Sequence, residues 1–252
     1  MYRSIQKLSL ILLLLMSSTR LFAAVATLDW SDYVADWSPG ATSFTATNIS
    51  GTGINATITL TMVGSGTFST NYPAIGFAPI SDSLYNDDLQ INVNSFTSKT
   101  ADSVNVSIVF SKPVSNVVLP FHDVDRGAGT STYTFVDVIT FLPPSPSPVS
   151  LTGTPGNNQT SGTFQVYGTK STGDHTDAGN ATATFGSAQL TSYGFNYSSN
   201  NTKSQADPTA QAIGLGDITF TYTIVPEAGN VAGLFLVGMA LCYSRKWLSK
   251  GV

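Results

Sequence analysis

The sequence predicts an all-β protein: a single antiparallel β-sandwich of jelly-roll type, flanked by an N-terminal signal helix and a short C-terminal transmembrane helix. Three observations lead there. The middle of the chain is rich in Thr, Ser, Asn and Gly and poor in Glu, Lys and Arg. It therefore lacks the strong surface helix formers and keeps residues that suit strands. Several stretches alternate apolar and polar residues with period two, which gives a strand one buried and one wet face. Turn-rich runs separate them.

Taken in order, the chain opens with Arg3 and Lys7, then LSLILLLLM from Leu8 to Met16. A positive start followed by an apolar run too short to span a bilayer reads as a secretory signal. Ala24-Val25-Ala26 offers a small-residue cleavage site before Thr27. Residues 1–26 are thus expected to be a signal peptide, residues 27–224 the β-sandwich ectodomain and residues 225–252 a C-terminal sorting segment.

The ectodomain carries five basic residues against fourteen aspartates, a net charge of −9, whereas the whole chain stands at −4. Such a surface disfavours nucleic acid and anionic membranes, and it tolerates divalent cations. The single cysteine, Cys242, lies near the C-terminus. No intrachain disulfide can form, so stability must come from the core, for which about 200 residues suffice.

Strands are expected where alternation is clear: Ile54, Ala56, Ile58, Leu60 and Met62; Leu89, Ile91 and Val93; Val104, Val106, Ile108 and Phe110; Val117, Leu119 and Phe121; and Ile218, Phe220 and Tyr222. Turns are expected at Ser38–Gly40, Asp125–Gly129 and Thr152–Asn158. PPSPSP, residues 143–148, reads as a stiff loop, because strand-like composition continues on both sides. Asn48, Asn55, Asn105 and Asn196 each head an Asn-x-Ser/Thr triplet, a frequency that this composition produces by chance. No internal repeat is present.

The C-terminal stretch has three parts. Val225-Pro226-Glu227 contains the only glutamate in the chain, an apolar run extends from Val231 to Tyr243, and Arg245, Lys246 and Lys250 follow. Thirteen to sixteen residues at about 1.5 Å each form a helix shorter than a hydrocarbon core of roughly 30 Å. Trp247 and the lysines could hold such a helix at the interface. The cations after the run keep the C-terminus cytoplasmic and the domain outside.

Motif, short apolar helix and cationic stop resemble the PEP-CTERM sorting signal of exported proteins in Gram-negative bacteria. The resemblance covers about 25 residues, from Val225 onward. It implies recognition by exosortase, a membrane cysteine protease or transpeptidase, with cleavage near Pro226-Glu227 and Arg245 and Lys246 as the basic stop. It implies transient residence at the inner membrane, then delivery to the cell surface or an exopolysaccharide matrix, often in biofilm or floc formation. Ala228 stands where the usual motif has a second proline. The competing reading is a permanent C-terminal anchor.

In the ectodomain, FHDVDRGAG from Phe121 to Gly129 is the sharpest acidic cluster. Asp123 and Asp125 share one side of an extended segment. Asp137 and Asp217 could converge on the same edge, giving a candidate calcium site. The EF-hand spacing is not met, since Gly127 takes the fifth position and Thr134 the twelfth. The plainer reading is a turn whose aspartates accept backbone hydrogen bonds.

His122 and His175 are the only candidates for base chemistry near neutral pH. Neither belongs to HExxH or G-x-S-x-G, and both read as surface loop residues. No aspartate pair stands out as a glycosidase pair. In WSDYVADW, Trp30 and Trp37 are candidates for stacking on sugar rings, with burial in the core as the competing reading. The expected function is a non-enzymatic cell-surface or matrix protein. A secreted carbohydrate-binding module and a hydrolase are the other classes weighed.

Overall fold

A computed structural model describes residues 22–76, 87–143, 145–155, 158–172 and 177–224. The chain forms two compact units, residues 25–222 and the two chain ends together (1–24 and 223–252). The described part of the second unit is residues 22–24 and 223–224. The signal segment to residue 21, His175, Val225, Pro226, Glu227, Arg245, Lys246 and the whole C-terminal apolar run lie outside the described residues. Among the described residues, no helix is long and apolar enough to cross a membrane.

Regular structure is almost entirely antiparallel β. The strands are β1 (Phe22–Leu28), β2 (Ser43–Ala46), β3 (Ala56–Val63), β4 (Thr67–Phe68), β5 (Ala74–Ile75), β6 (Leu89–Ser95) and β7 (Ser103–His122). They continue as β8 (Val138–Thr140), β9 (Ser150–Gly153), β10 (Asn158–Ser161), β11 (Gln165–Gly168), β12 (Ala181–Thr184), β13 (Leu190–Ser198), β14 (Gln211–Leu215) and β15 (Ile218–Ile224). Single 3-10 turns occupy Trp30–Tyr33, Ile49–Gly51 and Asp177–Gly179.

The organising element is β7, twenty residues long. Its first half pairs with β3 on one side and β13 on the other. Its second half pairs with β12, β14 and β15. The sequence suggests two strands here, because the buried phase changes from even to odd positions. Val104, Val106, Ile108 and Phe110 are buried in the first half, and Val117, Leu119 and Phe121 in the second. The change falls at Val114 and Ser115, neighbours that are both buried, just before Asn116, whose φ of 48° is left-handed. One irregular residue moves all later side chains to the opposite parity. The core-facing side therefore stays inward while β7 passes from one strand group to the other.

Side chains from both groups meet in one core. Phe121 of β7 contacts Phe195 of β13 with ring centroids 4.9 Å apart and planes at 86°. Phe110 meets Phe220 of β15 at 4.9 Å and Tyr193 at 6.0 Å. Phe141 and Phe185 join the same set. Each buried ring contributes roughly 1.5–3 kcal/mol by leaving water, and edge-to-face pairs add about 0.5–1.5 kcal/mol.

At the N-terminus, β1 begins at Phe22, ahead of the expected cleavage point. Of residues 22–26 only Ala26 is buried, so cleavage there would remove little of the core. The described residues of the PPSPSP stretch, Pro143 and residues 145–148, lie between β8 and β9 outside any strand. Asn105 and Asn196 sit opposite each other in the β7–β13 ladder, and the Asn196 amide donates to Asn105 Oδ1 over 2.8 Å.

Candidate functional site

At the end of β7 the chain leaves the sheet. His122 still pairs with Gly214 of β14, but Asp123 turns into left-handed backbone with φ 61°. Aspartate tolerates that region better than most residues. β14 pairs with β6 along Gln211–Leu215, yet with β7 only at Gly214 and Leu215. A notch opens where Asp123–Gly127 diverge from Ala210–Ala212. Residues 126–136 then make a small excursion closed by the Arg126–Val136 bridge and the bond from Gly127 N to Phe135 O.

Three of the four predicted acids gather here. Asp137 is wholly buried. Its Oδ1 accepts from the Tyr197 hydroxyl at 2.7 Å and its Oδ2 from the Asp125 amide at 3.1 Å. Burial first, then the charges of Asp125 and Asp123, push its carboxyl well above the ordinary range, against the opposing pull of those two hydrogen bonds. Asp125 Oδ2 accepts from the Thr172 amide at 2.8 Å and from the Thr172 hydroxyl at 3.2 Å. Both aspartates thus fill the backbone-accepting role that turn chemistry favours.

Asp217 does not join them. Its Oδ1 accepts from the Trp30 amide at 3.0 Å, and the carboxylates that act on it are Asp29, Asp88 and Asp87. The four-carboxylate calcium set is therefore not assembled. Asp137 is turned inward onto Tyr197, and Asp217 serves the 3-10 turn at Trp30. Among the described residues, no group of three or more His, Cys, Asp or Glu side chains is arranged to hold a metal ion.

Trp30 and Trp37 belong to the core. Their exposures are 0% and 3%, so neither indole offers a face to a sugar. Trp30 Nε1 donates to Gly216 O at 2.9 Å and Trp37 Nε1 to Pro73 O at 3.2 Å. The two rings meet edge to face at 6.4 Å. The segment is a 3-10 turn capped by Asp29, whose Oδ1 accepts from the Ser31 amide. Aromatic bulk is what anchors that turn beneath the sheet.

His122 is a strand-end residue and not the loop histidine expected. Its Nδ1 contacts Asp88 Oδ2 in an ion-pair geometry. Two glycines make room: a Cβ on Gly214 would come within 2.5 Å of Asp88 Oδ2, and one on Gly216 within 2.9 Å of His122 Cε1. The pair joins the end of β7 to the segment that leads into β6.

The notch itself encloses about 330 Å³ and is lined by Asn92, Asp123, Asp125, Arg126, Phe135 and Gln211, among others. Arg126 is fixed on two sides. Its guanidinium lies 3.6 Å from the centroid of Tyr133, and its Nε donates to Thr169 O at 2.6 Å. Gln211 is 4% exposed, and among the described residues neither its Nε2 nor its Oε1 has a hydrogen-bond partner. Sequence reasoning missed Asn92, Arg126 and Gln211. A signal existed for Gln211, which occupies an apolar-phase position in the series Gln211, Ile213, Leu215.

A smaller cleft of about 160 Å³ lies on the other side of the excursion, where Tyr133, Tyr167, Gln159 and Asn201 contribute. Tyr133 forms part of its wall, while Arg126 on its face belongs to the notch.

No family model, no curated protein and no solved structure matches the chain.

Proposed function

We propose that this chain is a non-enzymatic exported protein of the cell surface or extracellular matrix, delivered by an exosortase acting on Val225-Pro226-Glu227. The observation that carries the reading is positional. The last strand, β15, ends at Ile224, and the motif begins at the next residue in the sequence. A cut beyond Ile224 leaves every described strand intact, as a removable sorting tail requires. We read the folded part as a two-layered β-sandwich of jelly-roll type. That reading rests on two strand groups sharing β7 and on aromatic side chains from both meeting between them.

The polar chemistry of the described residues supports a binding or structural role over catalysis. The Asp125 and Asp137 carboxylates are engaged by backbone and hydroxyl donors, and His122 is engaged by Asp88. The partners proposed are exosortase, the inner membrane in transit and an extracellular polysaccharide.

The test is expression of the full chain in a Gram-negative host with and without an exosortase. Mass spectrometry of the mature protein should show loss of the C-terminal segment only in the exosortase-positive host, and Glu227→Ala should retain it. An identical mass in both hosts would replace this reading with a permanent anchor.

A further inference from the structure

We infer that the paired ends of β1 and β15 form a lipid-binding foot. In the uncut chain, Phe22 and Ile224 rest in the interface of a bilayer and hold Val225-Pro226-Glu227 at the membrane surface. The inference rests on the membrane transit proposed above and adds which part of the folded chain meets the lipid.

The two strands set up the foot. β1 and β15 are paired. Trp30, just past β1, donates through its amide to Asp217 and through its indole to Gly216 O, both just ahead of β15. The end of one strand therefore meets the start of the other, so they run in opposite directions, and Phe22 and Ile224 close the far end. Neither strand carries a charged residue.

Burial falls away toward that end. Period two puts Leu28, Ala26, Ala24 and Phe22 on one side of β1, and Ile218, Phe220, Tyr222 and Ile224 on one side of β15. Leu28, Ala26, Ile218 and Phe220 are buried, Ala24 and Tyr222 are half-buried, and Phe22 and Ile224 are 60% and 41% exposed. Single exposed apolar residues are ordinary on any surface. Here two large ones end two core-facing series at the same place, beyond the reach of the core.

The neighbouring sequence identifies what covers them. Five residues separate Phe22 from the apolar run that ends at Met16, and six separate Ile224 from the run that starts at Val231. Fully extended, such spacers reach at most roughly 20 Å, and the headgroup layer on each side of a bilayer is roughly 5–8 Å thick. A run seated in the hydrocarbon therefore brings the foot to the lipid surface, and the two chain ends belong to one compact unit.

Charge agrees with this placement. Asp29 and Asp217 stand at the other end of the strand pair, with Asp32 exposed on the 3-10 turn beside them. Seven residues of strand separate the two ends by roughly 23 Å. That exceeds two Debye lengths, each about 8 Å at physiological salt, so these carboxylates do not oppose contact of the foot with anionic lipid.

The experiment uses the full chain in vesicles of phosphatidylethanolamine and phosphatidylglycerol. Phe22→Cys, Ile224→Cys and Asp32→Cys, each combined with Cys242→Ser, carry an environment-sensitive nitrobenzoxadiazole label. Lipids brominated near the top of the acyl chain should quench the probes at 22 and 224 at least twofold and leave the probe at 32 unchanged. Ile224→Asp should halve the quenching at 22, with an unchanged circular dichroism spectrum confirming the fold. A domain that merely hangs on its tether gives equal quenching at all three positions. A foot covered by the chain's own apolar run or by a second copy shields the probes from aqueous iodide without quenching by brominated lipid. Either result overturns the inference, as does quenching at 22 that is indifferent to Ile224→Asp. Protein that fails to float with the vesicles overturns the membrane reading along with this one. Vesicle-bound protein with unquenched probes overturns this one alone, and the mass of the processed chain remains the separate readout of sorting.

Discussion

The Tyr197 hydroxyl donates to Asp137 Oδ1 across 2.7 Å, joining two wholly buried side chains from parts of the chain 60 residues apart. The bond ties β13 to the residue that enters β8 and so fixes the rear of the notch. Tyr197→Phe keeps the ring but removes the donor, leaving a buried carboxyl short of one partner. Chemical denaturation should show a loss of about 1–3 kcal/mol. A loss within a few tenths would mean that the bond is not maintained in solution.

Asp137 also sets a pH dependence. Its folded-state affinity for a proton is raised by burial, then by Asp125 and Asp123. The folded state therefore binds this proton more tightly than the unfolded chain. Its contribution to stability is full in acid and is lost as pH rises from the ordinary carboxylate value through the raised folded value. Asp137→Asn removes the titration, so the variant should gain on wild type as pH rises from about 4 toward 8. A constant difference in melting temperature across that range would reject the assignment.

Asp102 should show the opposite sign. Burial pushes its carboxyl up, but the amide of Ser65, the Thr97 hydroxyl and the amide of Ser98 together hold it below its ordinary value. Its stabilisation is present above the unfolded value and lost as pH falls through the folded one. Asp102→Ala is expected to melt below wild type at neutral pH, with the two curves converging in acid. Parallel curves would count against it.

Trp30 tests the core against the surface. Trp30→Ala empties a fully buried site and breaks the bond to Gly216 O, so about 3–5 kcal/mol should be lost. Trp30→Phe should lose less, because the smaller ring still fills much of the site. Equal losses in the two variants would mean that ring burial is not what this site contributes.

Gly214 tests the His122–Asp88 contact. A methyl there meets Asp88 Oδ2 at 2.5 Å, and the flexible carboxylate must move off His122. Gly214→Ala should cost about 1 kcal/mol in the native background. It should cost nearly nothing in Asp88→Ala, a non-additivity that a double-mutant cycle measures. Equal costs in both backgrounds would assign the glycine to backbone geometry instead.

The strands with one polar face were legible in the sequence because alternation is a local property. β3, β6, β15 and both halves of β7 follow from it. The union of those halves does not, since Pro113 and the parity change just before Asn116 read as a break between strands. β8 to β12 are three or four residues each, too short for a period to emerge. At the site, the grouping of Asp123, Asp125 and Asp137 was legible from their positions. Their shared direction was not, because the positive φ of Asp123 breaks the extended geometry on which same-side pointing depends. Asp217 was misplaced for a different reason: its partner, the amide of Trp30, is 187 residues away.

Finally, the partners of β7 lie on both sides of it in sequence, from β3 before it to β15 after it. Nothing local can lock this strand. Its hydrogen-bond ladder is complete only when β15 has joined it, through Thr219 and Thr221. Closure of such distant pairings is slow. The final strand of the described domain, and not an early hairpin, thus closes the pairing of its longest one.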